Sequence, residues 1–169
     1  MQDRLDANYK NLERVNSWIA NADNKASIIF AFNGILLIYL LTNVSQVKTI
    51  ISARCLGFIE LLMCLFLLLY AFFLFISVYK SFNVIFPDIK ERLPSPFFFG
   101  TIANIKLEEF KETMRTLDDT KIEEELINQT YINSKIATKK FKNLQSSVKA
   151  LSLSLIFWFI SLFLIFVLS

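Results

Sequence analysis

The chain has 169 residues, of which 54% are hydrophobic and 20% are charged, and its formal net charge is +3. It contains no histidine, which excludes histidine-based acid–base catalysis, histidine metal sites and nucleophiles that depend on a histidine base. Such a small net charge does not by itself indicate a nucleic-acid partner. Three Gly and three Pro leave little room for β-turns, so the composition favours an all-α protein.

Three apolar runs dominate the chain, at 26–41, 56–79 and 150–168. A helix needs roughly 20 apolar residues to cross the core of a bilayer. The second and third runs meet that length, and the first is slightly short. The sequence therefore predicts an all-α membrane protein with three transmembrane helices.

A polar, charge-balanced segment precedes the first run, unlike a cleaved signal peptide, in which an apolar core follows a basic start at once. Within it, hydrophobic positions recur at helical spacing, at Leu5, Tyr9, Leu12, Val15 or Asn16, and Ile19. This spacing predicts an amphipathic helix that continues into the first span.

The distribution of Lys and Arg predicts the orientation, because cytoplasmic flanks of spans carry the excess of positive charge. Four lie in 1–25, two in the linker 42–55 and twelve in 80–149. We therefore expect a multi-pass membrane protein. Its N-terminus and long polar segment are predicted to be cytoplasmic, and its short linker external.

Within the spans, Asn33 and Gly34 are expected to allow close helix packing. Glu60 is an intramembrane carboxylate and so a functional candidate by default, with snorkelling or pairing with Arg54 as the structural alternative. The two cysteines, Cys55 and Cys64, lack metal-ligand spacing and are interpreted as small apolar filler. We predict no metal site.

The second half begins with one irregular loop, 86–100, which contains all three prolines and Gly100. Its Phe triplet, 97–99, is expected to pack on neighbouring helices. A short charged helix is predicted over 106–117, and Thr120 with Glu123 has capping-box spacing. From about 119 to 168 nothing interrupts the helical pattern, which predicts one continuous helix of roughly 75 Å. One face of it is expected at Ile122, Leu126, Gln129 or Thr130, Asn133, Ile136, Lys140, Leu144 and Val148.

We therefore predict four segments: a cytoplasmic helix at 1–25, two spans with an external linker at 26–79, a cytoplasmic helical segment at 80–149 and a third span at 150–169. Small and polar residues within the spans predict close contacts between protomers of a homo-oligomer. These residues are Ser27, Asn33, Gly34, Ser152, Ser154 and Ser161.

Polar side chains interrupt the long helix where a hydrophobic stripe is expected, and matching ones lie on the N-terminal helix. They form either a solvated seam or a ligand pocket. Cationic groups, an indole for stacking and amides are what a nucleotide ligand requires. The candidate ligand-binding residues are Arg14, Trp18, Asp23, Lys25, Gln129, Ser134 and Lys140. Arg or Lys would hold the phosphate, Trp18 would stack on the base, and Asp23 would accept hydrogen bonds from base or ribose. The alternative for Asp23 and Lys25 is a structural Asp–Lys clamp at the membrane edge.

Three blocks resemble the transmembrane effectors of Pycsar anti-phage systems. They are RVNSWIANADNKAS at 14–27 with the apolar run after it, Phe99-Gly-Thr-Ile with its acidic helix, and 129–141. The resemblance implies that the chain senses a cyclic pyrimidine mononucleotide (cUMP or cCMP), made by a cyclase on infection. It further implies that the chain then impairs the inner membrane to abort phage infection. The partners so implied are the nucleotide and the lipid bilayer, with no nucleic acid and no cofactor.

Two other functions remain open at the level of sequence. One is a holin-like or toxin-like pore that needs no ligand, against which the long charged cytoplasmic segment argues. The other is a membrane anchor subunit for a soluble partner. An enzyme is not expected, because the carboxylates at Glu108, Glu109 and Glu112 are typical of a solvated helix face.

Overall fold

In a computed structural model of the chain, residues 2–53, 57–86 and 95–168 are described. The described residues form six α-helices, and no strand occurs among them. In chain order the helices are α1 Gln2–Thr42, α2 Val44–Ala53, α3 Phe58–Ile85, α4 Phe99–Ala103, α5 Leu107–Arg115 and α6 Asp119–Leu168. The all-α class is confirmed.

Three helices in the described part of the chain have the length and hydropathy to cross a membrane. The second and third are α3 and α6, and α6 is continuous over 50 residues, as predicted. The first candidate takes in Gln2–Thr49 and so runs past the end of the apolar run at Leu41. Most of the predicted external linker 42–55 is thus helical, because neither Gly nor Pro occurs between positions 35 and 56.

The helix ends differ from the predictions in detail. The capping residue of α6 is Asp118, whose Oδ1 accepts the backbone N–H of Lys121 at 2.8 Å, as an N-cap carboxylate does. The predicted cap Thr120 lies inside the first turn. The loop at 86–100 contains the start of α4, and only Phe86 and the part from Ser95 onward lie within the described residues. In the Phe triplet, Phe97 is 41% exposed, so its packing is incomplete.

The described residues divide into two compact units. The first holds those of Met1–Asn21 and Pro87–Lys139, and the second holds those of Ala22–Phe86 and Lys140–Ser169. Both α1 and α6 contribute residues to each unit. The predicted boundaries at 25 and 149 differ from the unit boundaries by several residues.

In the first unit, α1 contacts α6 through polar side chains. Asn16 Oδ1 accepts a hydrogen bond from Asn133 Nδ2 at 2.8 Å, and Arg4 pairs with Glu123 at 3.4 Å. Asn8 also donates to Glu123, at 3.5 Å. Tyr9, predicted to lie on the buried face, is 56% exposed. Asn8 faces α6 in its place, because the seven-residue register of Leu12 and Val15 favours position 8 over position 9.

The second unit is a bundle of the three candidate spans, with buried positions repeating every seven residues, as in a coiled coil. On α6 these positions are Lys140, Ser147, Ser154, Ser161 and Leu168, and on α3 they are Met63, Tyr70, Ser77 and Val84. Val148, predicted for this face, is 44% exposed because Ser147 takes the inward position. The outward faces carry large apolar side chains, such as Phe72, Phe75, Phe159 and Phe163.

Two hydrophobic clusters hold the bundle together. One consists of Ala22, Ala26, Val84 and Leu144, and the other of Leu36, Tyr70 and Leu74. Tyr70 is fully buried, and its hydroxyl donates to the backbone carbonyl of Leu36 at 2.8 Å. Small alanines in the first cluster let the helix backbones approach closely, which is how helices associate in a membrane.

Candidate functional site

The seven residues predicted to bind a ligand are divided between the two units. Arg14, Trp18, Gln129 and Ser134 lie in the first unit, and Asp23, Lys25 and Lys140 lie in the second. The structure contains no ligand that would test their predicted role, which therefore stays a prediction. Their contacts nevertheless separate them into distinct groups.

Arg14 and Trp18 form an exposed pair on α1, in the first unit. They are four residues apart and so lie on one face of the helix. Trp18 is 50% exposed, which leaves an indole face open for stacking. Each is two residues from Asn16, and two residues turn an α-helix by about 200°. The pair therefore lies on the side of α1 away from the Asn16–Asn133 contact.

Gln129 and Ser134 are half-buried on α6 and have partners of their own. Gln129 Nε2 donates to Ser95 Oγ at 3.1 Å and to Glu125 Oε1 at 3.0 Å. Ser134 Oγ donates to the Thr130 carbonyl, one turn earlier in the same helix, at 2.7 Å. Both side chains are thus engaged within the first unit, and the structure does not join them to Arg14 or Trp18 by a hydrogen bond.

Asp23 and Lys140 form an ion pair in the second unit. Lys140 Nζ lies 2.5 Å from Asp23 Oδ1 and also donates to the backbone carbonyl of Val84. Lys140 is only 4% exposed, so this is a buried ammonium with two acceptors. Lys25 is exposed. The clamp expected of Asp23 is therefore made with Lys140 on α6 and not with Lys25.

A ladder of hydroxyl and amide groups continues from the ion pair into the bundle. Ser81 Oγ and Ser147 Oγ are 2.7 Å apart, and Ser147 Oγ also lies 3.2 Å from Ser77 Oγ. Asn33 Nδ2 in turn donates to Ser77 Oγ at 2.9 Å. All four side chains are fully buried. The ladder connects α1, α3 and α6 through polar contacts.

This arrangement corrects the residues predicted for contacts between protomers. Asn33, Ser154 and Ser161 are at most 1% exposed inside the bundle, so they do not contact a second copy in this state. Of the six residues predicted for these contacts, Ser27, Gly34 and Ser152 are exposed and so remain accessible to a second copy. A Cβ added at Gly34 would meet nothing within 4 Å, so this glycine is not needed for packing inside the protomer.

Sequence reasoning missed Ser77, Ser81 and Ser147. A single serine in an apolar run carries little information, because its hydroxyl can bond the carbonyl one turn earlier. The available signal was the seven-residue spacing of Lys140, Ser147, Ser154 and Ser161, which places one stripe on one face of α6.

An apolar cavity of about 400 Å³ lies farther along the bundle. It is lined in part by Tyr39, Val44, Cys64 and Trp158. The helix break at Asn43 borders it, and Asn43 Nδ2 donates to the Tyr39 carbonyl at 2.8 Å. Glu60 is 7% exposed at the start of α3, and its suggested partner Arg54 lies outside the described residues. No cluster of His, Cys, Asp or Glu suited to a metal ion occurs among the residues described.

Comparison with known proteins assigns this architecture to a family. A family model described as the Pycsar effector protein domain matches residues 7–167. The chain belongs to the Pycsar effector protein family. A similar curated protein is the Pycsar effector protein GmPycTM of Gulbenkiania mobilis, at 28% identity over 150 residues, covering 77% of this chain and 76% of that protein. No solved structure matches the chain.

The family assignment confirms the resemblance drawn from the three sequence blocks. The matched region takes in most of α1, all of α3 and α6 up to Val167, and hence all three candidate spans in large part. Membership in a family of Pycsar effectors gives the chain an antiviral effector role at the membrane.

Proposed function

We propose that this chain senses a cyclic pyrimidine mononucleotide, cUMP or cCMP, through its cytoplasmic helices and then impairs the inner membrane to abort phage infection. The observation that carries the proposal is the match of the Pycsar effector domain to residues 7–167, over both polar and apolar segments. The ligand class is that of the family, whose effectors answer to a nucleotide signal. We propose a homo-oligomer as the acting form, because three helices alone cannot enclose an aqueous path.

The proposed orientation puts the N-terminus and the first unit in the cytoplasm. Twelve of the eighteen Lys and Arg residues lie in 80–149, and positive charge favours the cytoplasmic side. A cytoplasmic nucleotide would therefore reach Arg14 and Trp18 directly. Arg14 would pair with the phosphate and Trp18 would stack on the base.

The coupling between sensing and membrane damage rests on helix continuity. α1 is unbroken from position 2 to 42, and α6 is unbroken from 119 to 168. Each of these helices has a polar part in the first unit and an apolar part in the second. A ligand shifts an equilibrium only through its different affinities for two states. Nucleotide binding at the first unit would supply that difference, and the continuous helices would carry it to the Asp23–Lys140 pair.

The test is leakage from vesicles that contain the purified protein. We expect cUMP or cCMP to release an entrapped dye, while the open-chain nucleotides UMP and CMP release none. Leakage without any nucleotide indicates the holin-like or toxin-like pore. Absence of leakage under every condition, together with retention of a soluble partner, indicates the membrane anchor.

Calorimetry with the same nucleotides separates binding from membrane damage. We expect saturable heat with a cyclic pyrimidine nucleotide and none with its open-chain form. Binding without leakage keeps the sensing role and rejects the membrane role. Leakage without binding keeps the membrane role and rejects the sensing role.

A further inference from the structure

The bundle hides a line of polar side chains, which we call the buried polar column. It consists of Asn33 on α1, Ser77 and Ser81 on α3, and Ser147, Ser154 and Ser161 on α6. None of the six is more than 1% exposed. The α6 serines are seven residues apart, and 14 helical residues rise by about 21 Å, most of the roughly 30 Å core of a bilayer.

Hydrogen bonds satisfy the column only in part. Ser147 Oγ donates to the Ser77 carbonyl at 2.9 Å, and Ser154 and Ser161 donate to carbonyls of their own helix at 2.8 Å. Asn33 Oδ1, however, is buried and has no hydrogen-bond partner in the part of the chain described. An unsatisfied buried acceptor destabilises the folded state. Small serines also let membrane helices pack closely. Packing does not, however, account for the Asn33 amide, whose oxygen is buried without a partner among the described residues.

The outward faces of the same helices offer nothing that water could follow. On α3, and on α6 from Leu153 onward, the exposed side chains are large and apolar, among them Leu68, Phe72, Phe75, Ile156, Phe159, Phe163 and Phe166. A hydrated ion cannot cross hydrocarbon without polar groups that replace its water. Any aqueous path made from these three helices must therefore draw its polar groups from the inside of the bundle.

We propose that the buried polar column is the latent lining of the membrane breach, along which water and hydrated monovalent ions cross once the helices separate. This inference rests on the proposed membrane-impairing function and names the residues that perform it. In the active state, the column residues of several copies of this chain face a shared path. Asn33 Oδ1 then gains water as the hydrogen-bond donor that it lacks in the closed bundle.

Substituted-cysteine labelling tests this assignment in vesicles, in a background with Cys55 and Cys64 replaced by Ser. Ser154→Cys is compared with Leu153→Cys, a neighbour that is 40% exposed on the outside of the bundle. The probe is a charged, membrane-impermeant thiosulfonate. In intact vesicles neither cysteine should react. During leakage, Ser154→Cys should react at least about tenfold faster than Leu153→Cys, because the reactive thiolate forms in water and not in lipid.

A second pair of variants covers the case in which the cysteine protein fails to fold. Ser154→Ala retains the shape of the site but removes a polar group from the proposed lining. Ser146→Ala removes a half-buried hydroxyl of the same helix that lies outside the column. We expect the first to lower the ion leak several-fold at unchanged protein level and the second to leave it unchanged.

The outcomes distinguish this inference from the proposed function. Leakage with equal labelling at 153 and 154, or equal leak rates for Ser154→Ala and Ser146→Ala, overturns the column as the lining while membrane impairment stands. A protein that leaks neither with nor without nucleotide overturns both. Labelling of Ser154→Cys before any leak also contradicts the inference, since a latent lining must be dry at rest.

Discussion

Lys140 on α6 donates to the Asp23 carboxylate on α1 and to the Val84 carbonyl on α3, so one ammonium joins all three candidate spans. The side chain of Lys140 is 5% exposed, whereas the side chain of Asp23 is 36% exposed. The two partners of this pair therefore face different consequences when the other is removed.

Asp23→Asn should destabilise the bundle more than Lys140→Met. The first leaves a buried positive charge short of its counter-ion, whereas the second leaves a carboxylate that water can reach. Because Asp23 is partly solvated, we expect about 2 kcal/mol for Asp23→Asn, below the roughly 3–5 kcal/mol of a fully buried pair. Thermal unfolding in detergent measures this, with exposed Lys142→Met as the control. A larger loss for Lys140→Met would show that the ammonium packs well without its partner.

Trp18 should report nucleotide binding by its fluorescence. The chain has two Trp residues, so Trp158→Phe leaves Trp18 as the sole indole. Stacking of a pyrimidine on the half-exposed indole should quench its emission, and Arg14→Ala should weaken the apparent affinity at least about tenfold through the lost phosphate contact. Tyr9→Ala, which removes another exposed aromatic side chain of α1, should change neither. Quenching that survives Arg14→Ala at full affinity would place the phosphate elsewhere.

Lys25→Ala should behave differently from changes at Asp23. Lys25 is exposed, and Asp23 pairs with Lys140, so we expect Lys25→Ala to leave expression and thermal stability intact. If Lys25 takes part in sensing, nucleotide-triggered depolarisation should nevertheless be lost in this variant. Depolarisation at wild-type nucleotide concentration would remove Lys25 from the candidate sensing residues.

Cysteine labelling of intact cells should fix the orientation. The first candidate span extends to Thr49, so a reporter at Gly57, exposed between α2 and α3, is preferable to one in the predicted linker. In a background without native cysteines, Gly57→Cys should react with an impermeant reagent, and Glu124→Cys should react only after lysis. Reaction of both in intact cells would be incompatible with a cytoplasmic first unit.

Bulk added at Gly34 should reduce association between protomers without unfolding them. The site has open space for a Cβ and lies on the outward face of α1. Gly34→Leu should therefore lower the yield of cross-linked dimers in membranes. Phe32→Trp adds bulk about 200° around the helix and serves as the control. Unchanged cross-linking in Gly34→Leu would move the protomer interface to another face.

Sequence was sufficient for the spans and the long helix, because apolar length and an unbroken helical pattern are properties of consecutive residues. The bounds of α6 agree with the prediction from about 119 to 168. Side-chain partners were harder to predict. The helical register puts Lys140, and not Lys139 or Lys142, on the face of Ile136 and Leu144. The register does not reveal its partner Asp23, which is 117 positions away.

Hydropathy alone also does not show which face of a span is buried. Ser152 and Ser154 look alike in sequence, yet one is exposed and the other fully buried. A two-residue step turns the helix by about 200°, so only the register against α1 and α3 decides which serine lies inside. For that reason Ser154 and Ser161, predicted to contact a second copy, lie inside the closed bundle of one protomer.

The buried residues of α6 recur every seven positions, so the number of residues between them matters as much as which residues they are. An inserted or deleted residue between Lys140 and Ser161 would rotate every later side chain by about 100°, bringing phenylalanines inward and hydroxyls into the lipid. An insertion or deletion of seven residues would return each later side chain to the same side of the helix. Relatives that differ in length within this stretch should therefore differ by whole heptads, while the connections between helices are free to vary residue by residue.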